Sequence, residues 1–180
     1  MIFQNIEFYE TEKYQYLLIH KNACTSVTNL INKENFFVTN KKNLSKVRWT
    51  VIRDPFERFI SGLKYDLKKN NLKIKDININ KLFISKINKE TRTQGFVNHT
   101  CSQILYLLNA DINWYVDIKD LNLFLKIHFG KNIQLNKNID KTKLNFNKED
   151  IMKYLTIDYE VYNSIIKSSN FWEWQKGKIF

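Results

Sequence analysis

The chain has 180 residues, 43% of them hydrophobic and 14% aromatic, the composition of a folded globular protein with one domain spanning 1–180. The formal charge of +11 suits an anionic partner, although Lys, Ile and Asn are so abundant that Lys is also the ordinary surface residue. Two cysteines, Cys24 and Cys101, exclude a disulfide framework, and no run approaches the roughly 18 apolar residues of a membrane span. Segment 1–12 is mixed and acidic, without a basic stretch followed by an apolar one, so no secretory signal is read there and a cytoplasmic location with free thiols is expected.

In chain order, residues 16–19 read as a short buried strand, and Val27, Leu30 and Ile31 then recur at helical spacing. The loop between, 20–26, is a strand-to-helix turn in which Thr25 or Ser26 is the expected cap. Residues 47–52 repeat the strand. Asp54 as cap and Pro55 in the first turn start a helix whose apolar face carries Phe59, Ile60, Leu63 and Leu67. Residues 68–76 read as a loop, with a short amphipathic helix around Leu82, Phe83 and Ile87. Helix is expected over 102–108, strand over 114–118, and helix over 120–129 stopped by Gly130. Residues 134–140 read as a strand end or loop, and 149–166 as helix broken near 156–158. Strands alternating with helices predict an α/β fold, a mostly parallel central sheet flanked by helices. Ligands of such sheets bind beyond the carboxyl ends of the strands, where loops 20–26 and 53–61 fall.

Loop 20–26 reads His20-Lys-Asn-Ala-Cys-Thr-Ser26. The turn into a helix offers backbone N–H groups and the positive end of a helix dipole to an anion. Lys21 adds a full charge, Thr25 and Ser26 hydroxyl donors. A capped helix beside a solvated Lys has the same pattern. The glycines of the common phosphate loop are missing, and the Lys precedes the turn instead of opening the helix. The second segment reads Arg53-Asp-Pro-Phe-Glu-Arg-Phe-Ile-Ser61, with a strand-end Arg and a helix Ser able to grip a second phosphate. The alternative there is Arg53 paired with a nearby carboxylate and Ser61 facing solvent.

Together these segments resemble the two nucleotide motifs of sulfotransferases that use 3′-phosphoadenosine 5′-phosphosulfate (PAPS). The carbohydrate branch is nearest, with its Pro-Lys-x-Ala-Cys-Thr loop and its Arg-x-Pro-x-x-Arg-x-x-Ser motif. Order and separation fit as well. Residues 96–103 are similar to a family segment with a His and a downstream Gln near the acceptor. Residues 117–129 with Asn136 and Asn138, and residues 149–162, resemble the family's late strand, helix, Asn loop and closing Tyr–Asp–Tyr helix. His20 stands where the branch has Pro, Leu63 where an aromatic is common, and Lys119-Asp120 where Glu-Asn is frequent.

The resemblance implies a P-loop-like nucleotide-binding fold with PAPS as co-substrate and direct in-line transfer of a sulfonate to an acceptor hydroxyl, and the branch it resembles implies a saccharide acceptor. Lys21 would contact the bridging oxygen and the sulfonate. Asn22, Ala23, Cys24, Thr25 and Ser26 would hold the 5′-phosphate, and Arg53 and Ser61 the 3′-phosphate. His99 is the base candidate by residue type, with Glu57, Asp66 and His20 behind it. His128, at a helix end, reads as structural. No metal is required, and no metal cluster is read in the sequence. Nucleic acid is not an expected partner. Two other classes share parts of the pattern. Another nucleotide-binding phosphotransferase would need a Lys after Gly and Mg²⁺-holding Ser/Thr and Asp. A non-catalytic basic module for polyanions would interleave cations with aromatics, as the tail 171–180 partly does.

Overall fold

A computed structural model describes residues 7–31, 36–73, 102–107, 110–133 and 147–172. Its elements in chain order are β1 (Phe8–Glu10), β2 (Tyr14–Leu17), α1 (Cys24–Ile31), β3 (Phe37–Thr39), β4 (Val47–Ile52), α2 (Pro55–Lys69), α3 (Ile104–Leu107), β5 (Trp114–Asp117), α4 (Leu121–Phe129), α5 (Lys148–Met152) and α6 (Thr156–Lys167). They form a single α/β domain around a five-stranded sheet of order β3-β1-β2-β4-β5.

The sheet is mixed, which corrects the mostly parallel arrangement expected from the alternation of elements. Strands β2, β4 and β5 are parallel, with Tyr16 opposite Trp49 and Val51 opposite Val116. Strand β1 runs antiparallel to both β2 and β3. The cause is local. Only residues 11–13 separate β1 from β2, and a parallel pair needs a crossover of a dozen residues or more. Thr11 closes the hairpin: its N–H donates to Tyr14 O (2.8 Å), and its hydroxyl accepts from Tyr14 N–H (3.2 Å).

Alternate residues of β2 and its extension feed opposite faces of the sheet. Tyr16 and Leu18 join Trp49, Val51 and Val116 under α1 and α4, which contribute Val27, Leu30, Ile31, Leu121, Phe124 and Leu125. Leu17 and Ile19 meet Phe8, Tyr106, Ala110 and Ile112 on the other side. Helix α2 buries Phe59, Leu63 and Leu67 against Ile151 and Leu155. Leu63, which departs from the motif's usual aromatic, is therefore core.

Asp54 caps α2, its carboxylate accepting from Glu57 N–H at 2.9 Å, and Pro55 stands in the first turn. The helix continues to Lys69, so the segment expected to be loop from residue 68 begins as its last turn. Gly130 adopts φ 63°, the left-handed stop expected after α4. The C-terminal helical stretch breaks at 153–155, slightly earlier than expected. The helix expected around 82–87, the segment 134–140 and His99 lie outside the described residues.

Topology places the functional loops. From β2 the chain leaves through α1 toward β3 on one edge; from β4 it leaves through α2 toward β5 on the other. The carboxyl ends of the neighbouring strands β2 and β4 are thus the point where the winding reverses. In open α/β sheets that reversal opens a ligand crevice.

Candidate functional site

The loop leaving β2 alternates in backbone hand. Lys21 has φ 67° and Ala23 φ 59°, with Asn22 between them outside the positive-φ region. The turn is closed from within, Asn22 N–H donating to Ile19 O (3.2 Å) and the Lys21 backbone bonding the Cys24 thiol. Helix α1 begins at Cys24, and its first intrahelical bond runs from Val27 N–H to Ala23 O (3.0 Å). The N–H groups of Cys24, Thr25 and Ser26 stand outside that ladder and face the crevice end of the helix. Thr25 and Ser26 are therefore residues of the first turn, not the cap. The left-handed Ala23 brings the chain into helical geometry before them, and an alanine supplies no capping oxygen.

The loop is tied down from below. Asn22 is fully buried, and its amide donates to Val51 O (2.8 Å) and to Gln103 Oε1 (3.1 Å). Gln103, also buried, donates to Arg53 O (2.9 Å) and accepts from Arg53 N–H (3.5 Å). One glutamine therefore couples the two loops. Arg53 Nη1 donates to Lys21 O (3.4 Å), and Arg58 Nε to His20 O (3.1 Å). With these carbonyls held from the α2 side, the Asn22 side chain anchors the loop.

Lys21, Arg53 and Arg58 converge here. Burial lowers the Lys21 ammonium below its ordinary value; Cys24 and Asp66 pull it back up, while the Arg58 and Arg53 charges press it down. Arg53 takes the alternative pairing weighed for it: its Nε lies 3.5 Å from Glu57 Oε2, one helical turn on. That contact is long and half-exposed, worth roughly 0–1 kcal/mol. Arg53 Nε is buried and has no hydrogen bond, so an arriving phosphate can replace the Glu57 carboxylate. Ser61 is half-buried on the second turn of α2 and makes no bond to Arg53. The donor set, three cations with helix-end N–H groups and hydroxyls, can hold anionic oxygens.

Cys24 occupies the first position of α1. Burial pushes its thiol up, but hydrogen bonds from His20, the Lys21 backbone and Thr25, with the His20 charge, bring it down to about 7. Alkylation of Cys24 by iodoacetamide, mapped by mass spectrometry to separate it from Cys101, is expected to reach half its limiting rate near pH 7. A midpoint near the free-thiol value of about 8.5 would remove the His20 contact from the account.

Helix α6 closes the crevice rim. Tyr159 OH donates to both Asp54 oxygens (3.1 and 3.0 Å), Tyr162 OH to Asp117 Oδ2 (2.9 Å), and Ser102 Oγ to Asp158 Oδ1 (2.7 Å). Burial followed by the Asp54 contact pushes the Tyr159 phenol up to about 12, and burial with Asp117 raises Tyr162 further. These hydroxyls stay protonated donors and hold the N-cap of α2 and the end of β5 in place. His128 accepts from Trp172 Nε1 (3.1 Å) and is lowered by burial, which suits a structural role.

Reading the motifs missed the buried Gln103 link, because nothing in its spacing relates it to residues 22 and 53. It also gave Arg58 and Tyr65 no role, though α2 periodicity places Tyr65 one turn after Ser61. Among the described residues no group of His, Cys, Asp and Glu is arranged to hold a metal ion, and no helix is long and apolar enough to cross a membrane. Comparisons with protein-family models, curated proteins and solved structures yield no match to this chain.

Proposed function

We propose that this protein is a sulfotransferase moving the sulfonate of PAPS to an acceptor hydroxyl of a carbohydrate, in keeping with the branch its motifs resemble, in the cytoplasm. The observation that carries the reading is the cross-tie of the two motif loops at the sheet's reversal point: Arg53 Nη1 on Lys21 O, with Gln103 bonded to both Asn22 and Arg53. Two phosphate-seeking loops built into one crevice suit a nucleotide carrying phosphates at both ends of its ribose. The 5′-phosphate would sit on the N–H groups and hydroxyls at the start of α1, the 3′-phosphate at Arg53 and Ser61.

In the proposed step the acceptor oxygen attacks sulfur opposite the bridging oxygen. The new S–O bond forms as the bond to the bridge breaks, and 3′,5′-adenosine bisphosphate leaves. Lys21 opposes the negative charge that grows on the bridge. The acceptor proton passes to a base, for which His99 is the candidate. The scheme routes no step through a metal.

Calorimetry tests the reading. The bisphosphate is expected to bind more tightly than AMP or ATP. Arg53→Ala is expected to weaken bisphosphate by ~1.5–3 kcal/mol, the scale of a charged hydrogen bond, and AMP hardly at all. Equal losses for both nucleotides would place Arg53 outside the 3′-phosphate site. Preference for ATP would favour a phosphotransferase, and binding without discrimination a polyanion module.

A further inference from the structure

Tyr65 has no part in the two phosphate motifs, yet the Lys21 ammonium lies over its ring, 3.4 Å from the centroid. We infer that Tyr65 is the positioning residue for Lys21, presenting the ammonium along α2 toward the sulfonate end of the crevice; the role rests on the sulfotransferase reading.

Three features support it. Lys21 is left-handed, and its side chain ends on α2, with Nζ 3.4 Å from the Tyr65 ring centroid. Ser61 and Tyr65 are four residues apart on α2 and so share one face, which places the ring one turn beyond the 3′-phosphate serine. The ring also holds the cation without neutralising it. A carboxylate in the same place would compete with an arriving anion for the full charge, whereas a ring face offers only its quadrupole. Asp66, the neighbouring carboxylate, is fully buried in α2, while Tyr65 is 41% exposed at the surface where a nucleotide would enter. A long, flexible ammonium is thereby narrowed to one direction and stays available to the bridging oxygen.

The test uses Tyr65→Phe, which keeps the ring, and Tyr65→Leu, which removes it; partial exposure of the site leaves the core intact in both. In nucleotide-free protein the ε-methylene protons of Lys21 should show an upfield ring-current shift in NMR spectra, kept in Tyr65→Phe and lost in Tyr65→Leu. Turnover of PAPS should fall about tenfold in Tyr65→Leu and stay within about twofold in Tyr65→Phe, with bisphosphate affinity unchanged in both. Absence of the shift in the unmodified protein overturns the contact. An unchanged turnover in Tyr65→Leu, or an equal loss in Tyr65→Phe, overturns the positioning role. A protein that neither binds the bisphosphate nor turns over PAPS overturns the sulfotransferase reading instead, and the shift still reports the contact separately.

Discussion

Lys21→Ala is expected to cut PAPS turnover at least ~100-fold while changing bisphosphate affinity far less, the pattern of a lost transition-state charge partner. The bridging oxygen gains charge only as the S–O bond breaks, so an ammonium aimed at it acts mainly on the reaction step. Alanine is a clean replacement at this position. Both residues pay the same steric cost at φ 67°, so the backbone strain of the loop is unchanged. Asn22 still anchors the loop to Val51 O, and Arg53 Nη1 still has the carbonyl of residue 21 to bind. Single-turnover kinetics with calorimetry on the same samples separate the two effects. Near-normal turnover would take Lys21 out of the mechanism.

Glu10→Ala is expected to cost about 3–5 kcal/mol of stability, the scale for stripping one partner from a buried ion pair. Glu10 is 5% exposed and receives Lys46 Nζ at 2.6 Å, Asn43 Nδ2 at 3.2 Å and the Gln15 amide. Its loss leaves Lys46 with Thr11 O as a hydrogen-bond acceptor and no carboxylate. The pair also makes stability pH-dependent. Burial alone would raise the Glu10 carboxyl, but hydrogen bonds from Lys46, Gln15 and Asn43, and then the Lys46 charge, bring it below its ordinary 4.5. A depressed carboxyl stabilises the fold above about 4.5, and that contribution drains away as the pH falls through the lowered value. Urea midpoints at pH 7 and in the acid range measure both effects; a variant with an unchanged midpoint at pH 7 would show the network to be energetically neutral. The network lies at the amino ends of β2 and β4, opposite the crevice. Folded Glu10→Ala should therefore bind nucleotide as the unmodified protein does.

The helices and the central strands were legible because their signals are local. Phe59, Leu63 and Leu67 mark one face of α2, Asp54 and Pro55 its start, and Gly130 the end of α4. The sheet's antiparallel edge was not. Strands β1 and β3 have three residues each, and the hairpin between β1 and β2 turns on the Thr11 hydroxyl with no Gly, Pro or Asn to announce it. Phe37 and Val38 of β3 are both exposed, so that strand shows no alternation to read. In the site, spacing put Lys21 and Arg53 on loops that the parallel pairing of β2 and β4 makes neighbours. Their linkage through Gln103 was illegible, since a buried amide 81 residues from Asn22 carries no periodic signal. Tyr65 was hidden differently: its contact with the Lys21 ammonium joins residues 44 positions apart in sequence, and the left-handed backbone of Lys21 follows from the tertiary turn and not from the identity of a lysine.

The two tyrosine–aspartate clasps of α6 bear on the order of events during synthesis. Asp54, which starts the helix behind the second loop, meets Tyr159 across 105 residues of chain, and Asp117 meets Tyr162 across 45. Both motif loops thus emerge from the ribosome long before the hydroxyls that fasten the rim. Contacts so distant along the chain form late, because the entropy of closing the loop is lost before any bond repays it. A nascent chain halted short of Tyr159 carries every motif residue from 20 to 61 and still lacks the fastening of Asp54. The fastening of Asp54 is therefore made only once Tyr159 has been synthesised and α6 docks.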